Sequence, residues 1–115
     1  MLVTTDIWVS AIVRRVFASG GFAAIVKRGA AEAGAVFLLS RSRLGDVMLH
    51  GPAPQTAYDQ TRPDDRIFIE LESAAQSEAI EKRLEREQRF DPDIWIVEVE
   101  PGAVPLEELF VVTKP

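Results

Sequence analysis

The chain has 115 residues, 47% of them hydrophobic and 27% charged, with a formal net charge of −5 and a mean hydropathy of +0.04. That is length for one domain with its own core, spanning 1–115, and a composition too apolar for disorder. With no cysteine and one histidine, disulfides, thiolate nucleophiles and cysteine-ligated zinc are excluded, and no metal or cofactor is expected.

The opening "MLVTTDIWVSAIVRRVF" has no basic residue ahead of its apolar part, and Arg14 and Arg15 interrupt that part well short of a membrane span. Neither a signal peptide nor a membrane anchor is expected, which places the chain in the cytoplasm. Thr5 caps a predicted helix over residues 6–19, with Asp6 at the positive end of its dipole. Asp6, Ser10 and Arg14 form its narrow polar stripe, and apolar residues cover nearly everything else. Such a helix is expected to be buried on most sides, inside the domain or against a second subunit.

After the Gly20–Gly21 turn, Phe22, Ile25, Val26 and Gly29 recur at i, i+3, i+4 and i+7, predicting a second helix with Lys27 and Arg28 outward. "AVFLLSR" then reads as a strand covered on both faces, and "RLGD" turns it into "DVMLH" as an antiparallel hairpin. "RIFIELE" alternates, with Ile67, Ile69 and Leu71 on one face and Phe68, Glu70 and Glu72 on the other. Ser73 and Gln76 form a capping-box pattern for a surface helix that runs to about residue 90 and is stopped by Pro92. "DIWIVEVE" is the fourth strand, and the tail from Pro101 is left open between a helical turn with a short edge strand and irregular structure. The expected fold class is therefore α+β: two N-terminal helices, then a mixed sheet of about four strands with one further helix in a strand-helix-strand crossover between parallel strands.

Residues 49–66, "LHGPAPQTAYDQTRPDDR", hold the only histidine, the only tyrosine and three of the seven prolines. His50 at a strand end is a candidate general base, with Gly51, Gln55, Tyr58 and Arg66 as polar contacts of a small-ligand pocket. Nothing in the spacing fixes an orienting carboxylate beside it, and "GPAPQ" is better read as a rigid structural corner, with a docking segment as the alternative. The pairs Glu70/Glu72 and Glu98/Glu100 stand at i and i+2, where two acids on one strand face can hold a hard cation; a solvated face is the simpler reading. Asp91 and Asp93 around Pro92 read as turn residues. Gly20–Gly21 matches no phosphate loop.

Charge is uneven, with six Lys/Arg against two acids in residues 1–45 and seven against sixteen in 46–115. Arg14, Arg15, Lys27 and Arg28 on two glycine-linked helices resemble a helix-turn-helix in outline. The acidic balance of the chain argues against general nucleic-acid binding.

"GFAAIVKRGAAEAGAVFLL", "LHGPAPQ" and "DPDIWIVEVE" together resemble a family of alphaproteobacterial proteins designated domain of unknown function 1491, over nearly the whole chain. The resemblance implies a small cytoplasmic single-domain protein and carries over no activity and no catalytic residue. The sequence is thus read as a non-enzymatic protein-interaction module acting as a homodimer, with Ile7, Trp8, Ile12, Arg15 and Val16 of the apolar helix as the expected interface. The alternatives are an enzyme or ligand binder at His50, and weak nucleic-acid binding through the four basic residues.

Overall fold

In a computed structural model, residues 3–42, 44–54, 66–74 and 77–113 are described. The elements are α1 (Thr5–Ala18), β1 (Phe22–Lys27), β2 (Val36–Arg41), β3 (Val47–Pro52), β4 (Ile67–Ala74), α2 (Glu78–Phe90), β5 (Trp95–Glu100), α3 (Leu106–Leu109) and β6 (Val111–Thr113). They form a six-stranded mixed sheet in the order β1-β5-β2-β3-β4-β6. β5 runs parallel to β2 and β6 parallel to β4, and the remaining neighbours are antiparallel.

The fold is α+β, but the expected second N-terminal helix is a strand and the sheet has six strands, not four. "FAAIVK" is too short for its i, i+3, i+4 spacing to exclude alternation. As β1 it pairs antiparallel with β5, Ala23 opposite Val99 and Ile25 opposite Val97, so Ala23 and Ile25 join the core beneath α1. The other added strand, β6, is the three-residue edge at the opposite side. The hairpin of β2 and β3 forms as expected, with Leu38 opposite His50. β4 and β5 are parallel as expected for a crossover, but β2 and β3 lie between them.

Each face of the sheet has its own core. On one, Val9, Ile12 and Val16 of α1 pack with Val36, Leu38, Phe68, Trp95, Val97, Val99, Leu109 and Phe110. On the other, Ile80 and Leu84 of α2 pack on Phe37, Leu39, Val47, Leu49, Ile94 and Ile96. The alternation expected along β5 is met: Trp95, Val97 and Val99 face α1 while Ile94 and Ile96 face α2.

Helix starts depart from the expected caps. α1 is flanked by Thr4, whose hydroxyl donates to Asp6 Oδ1, and Asp6 also accepts the Ile7 amide at 2.8 Å. These bonds, the Thr4 hydroxyl first, hold the Asp6 carboxyl below its usual range. Thr5 is instead fully buried and donates its hydroxyl to the Gly34 carbonyl at 2.9 Å. α2 begins at Glu78, because Ser73 still belongs to β4, opposite Met48; Gln76 lies outside the described residues.

Candidate functional site

β3 carries His50 between Leu38 of β2 and Glu70 of β4, and the ring is only 4% exposed. It meets Phe110 edge to face at 5.4 Å between centroids. From there a chain of rings crosses the core, Phe110 on Phe68 at 5.2 Å and Phe68 on Trp8 at 5.4 Å. The Arg66 guanidinium closes it, 5.9 Å over the Trp8 ring, while its Nη2 donates to the Val3 carbonyl at 2.9 Å. His50 and Arg66, grouped by sequence as one pocket, are thus the two ends of an aromatic stack.

The imidazole Nδ1 is buried with no hydrogen-bond partner among the described residues. Burial pushes the His50 pKa below 6.5, against weaker opposing pulls from Glu70 and Glu107, so the ring is neutral at pH 7. Neutrality would suit a base, but a base needs an orienting hydrogen bond and a route to substrate. Gly51 has a packing role: a Cβ there would stand 2.6 Å from Leu71 Cδ1 and 2.9 Å from Phe37 Cε2. Gln55 and Tyr58 lie outside the described residues.

A β-bulge dissolves one acidic pair. The register shifts between Leu49 and His50, setting Glu70 opposite His50 and Glu72 opposite Leu49, so the two carboxylates leave their common face. Glu98 accepts from Arg41 Nε at 2.8 Å. Among the described residues no three His, Asp or Glu side chains gather as a metal site.

The basic residues are largely engaged within the chain. Arg15 donates to the carbonyls of Glu108 (2.7 Å) and Leu109 (3.2 Å), and Arg28 lies 5.7 Å over Trp95. Lys27 Nζ donates to the carbonyls of Pro92 (2.7 Å), Ile94 (3.0 Å) and Arg28 (3.2 Å). With β1 a strand, the outline of a helix-turn-helix is gone. Of the residues singled out on α1, Ile12 and Val16 are buried in the core, Trp8 is half-buried against Phe68, and Ile7 stays 56% exposed.

Exposed apolar surface gathers where α1 passes into β1. Phe17 and Phe22 meet edge to face at 5.8 Å, each about half exposed, and Val26 follows on the same strand at 57%. Phe22 and Ala24 stand opposite Glu100 and Glu98, on the face of the sheet that α2 occupies further along. An open groove of about 750 Å³ borders Phe22, lined also by Gly20, Gly21, Arg41, Ser42 and Glu100 among others. It lies at the turn end of the β2–β3 hairpin, away from His50. This surface escaped the sequence reading because the helical spacing of "FAAIVK" drew attention from its position on a sheet edge.

The family model described as protein of unknown function (DUF1491) matches residues 3–105. Among solved structures, the solution structure of protein Atu0922 from A. tumefaciens is 41% identical, with a TM-score of 0.82, covering 100% of this chain and 98% of that one. The crystal structure of a DUF1491 family protein from Caulobacter crescentus CB15 is 30% identical, with a TM-score of 0.76, covering 98% and 99%. The NMR structure of a DUF1491 family protein from the same organism is 31% identical, with a TM-score of 0.77 and 98% coverage of both chains. Among curated proteins none matches. The chain belongs to the DUF1491 family.

Proposed function

We propose that this family member is a non-enzymatic interaction module that associates with a second copy of itself through the edge strand β1, with the Phe17–Phe22 pair at the centre of the contact. The observation that carries the reading is an edge left open along its first residues. β1 ends the sheet, has partly exposed apolar side chains, and its one lysine is turned back onto the carbonyls of Pro92 and Ile94. Edge strands are ordinarily protected by outward lysines, prolines or bulges. Here a bulge at Val26 limits the open stretch to its first residues. Two such strands meeting about a two-fold axis give a self-complementary contact, the usual form of a homodimer. Two exposed aromatic rings in contact, Phe22 of them lining a groove, also fit the composition of interface centres. The ligand-pocket reading at His50 is weaker, since the ring is enclosed and lacks an orienting carboxylate bond.

Molar mass by light scattering, for the wild type and Phe22→Glu at micromolar concentration, tests this reading. A wild-type dimer, and a monomer of unchanged thermal stability for Phe22→Glu, are expected. A wild type that is monomeric throughout, or a dimer indifferent to Phe22→Glu, overturns it.

A further inference from the structure

The C-terminal residues 105–113 lie as a strap across the α1 face. Two short elements hold them, the four-residue α3 and the three-residue β6 beside β4; Leu109 and Phe110 enter the core with Leu106 packed against it, and the guanidinium of Arg15 binds the carbonyls of Glu108 and Leu109. Phe110 is the ring that closes over His50 and links it to Phe68. The single histidine of the chain is therefore covered by a segment made of two short elements. A neutral imidazole tolerates that enclosure, whereas an imidazolium needs a partner or water for each N–H.

We propose that the strap is a proton-gated cover, closed over neutral His50 and released from the sheet when His50 takes up a proton. The charged groups that reach the ring are Glu70 from β4 and Glu107 from α3. β2 presents Leu38 opposite it, and from α1 Arg15 is held by the strap's own carbonyls. Both glutamates are exposed, and their attraction for an imidazolium is smaller than the cost of burying it. Opening returns the ring to water and leaves it beside Glu70 on the neighbouring strand. The sign follows from linkage: the closed state holds the His50 pKa below the ordinary 6.5, so its stability is complete above that pH and is lost as pH falls through 6.5 toward the lowered value. The gate acts on this face of the sheet whether or not β1 pairs with a second copy.

Hydrogen exchange followed by mass spectrometry, corrected for the intrinsic pH dependence of exchange, reads the gate. Between about pH 7.5 and pH 5.5, the wild-type peptide covering 106–113 should lose protection by up to roughly tenfold, the limit for a released ring of ordinary pKa 6.5 read one pH unit below it. The peptide of α2 should hold its protection, and His50→Gln and His50→Phe should each stay flat across the range. Equal loss in wild type and variants assigns the effect to carboxylates and overturns the gate, as does simultaneous loss in α2, which is global unfolding. Should neither variant fold, ring titration of the wild type by NMR decides: His50 titrating at or above 6.5 with the strap still protected overturns it, and titration below 6.5 in step with strap exposure supports it.

Discussion

The sheet is covered by two helices of nearly equal length, 14 residues in α1 and 13 in α2, that hold on in opposite ways. α1 drives Val9, Ile12 and Val16 into a core shared with Phe68, Trp95 and Phe110, and its first amides donate to the carbonyls of Glu32 and Ala31. α2 touches the sheet through Ile80 and Leu84 and presents mostly charge elsewhere, with Arg83 bound to Glu87 at 3.0 Å and Lys82 near Glu78 at 3.7 Å, although Phe90 at its end is exposed. One helix is part of the core and the other is a lid with two pegs. A sheet can therefore be equally covered on both faces and unequally dependent on its covers.

The sharpest way to break the comparison is to put a charge into each core contact. Ile12→Glu removes an apolar side chain that is 3% exposed and buries a carboxylate without a partner, an effect of at least about 4 kcal/mol. Circular dichroism should find this variant unfolded at room temperature; a folded protein would mean that α1 can detach from the sheet. Leu84→Ala, at 6% exposure on the lid helix, should cost about 2 kcal/mol in urea denaturation, the low end for such truncations, because the two-residue contact can collapse. A loss as large as that of a central core leucine would erase the distinction between the faces. Smallest of all, Lys82→Ala breaks a pair whose side chains are 73% and 76% exposed, and should shift stability by less than about 0.5 kcal/mol.

The same contrast explains what was legible in the sequence. α2 was readable because Ile80 and Leu84 stand out against charged neighbours, and β5 because Trp95, Val97 and Val99 alternate with Ile96, Glu98 and Glu100. α1 was over-read: its apolar cover suggested burial on most sides, whereas Ile7 and Phe17 remain about half exposed. β1 was misread because alanine, isoleucine and valine satisfy both helical and strand periods over six residues, and only pairing with a strand some seventy residues later decides between them. The site suffered for a related reason. His50 was found by its uniqueness, but its true neighbour, Phe110, comes from the tail whose conformation local spacing leaves open. The bulge that parts Glu70 from Glu72 has no glycine to announce it.

The place of β5 has a consequence in time as well as space. It sits between β1 and β2, two strands that follow each other in the chain but never touch as neighbours in the sheet. Until residues 95–100 arrive, the first ninety or so can form the β2–β3–β4 meander while β1 waits with no partner on either side. Pairing across such sequence separation is the slow, loop-closing part of assembly. The last long strand to be made is thus the one that joins β1 to the rest of the sheet, and a chain cut short before Trp95 has a meander with an open flank instead of a domain.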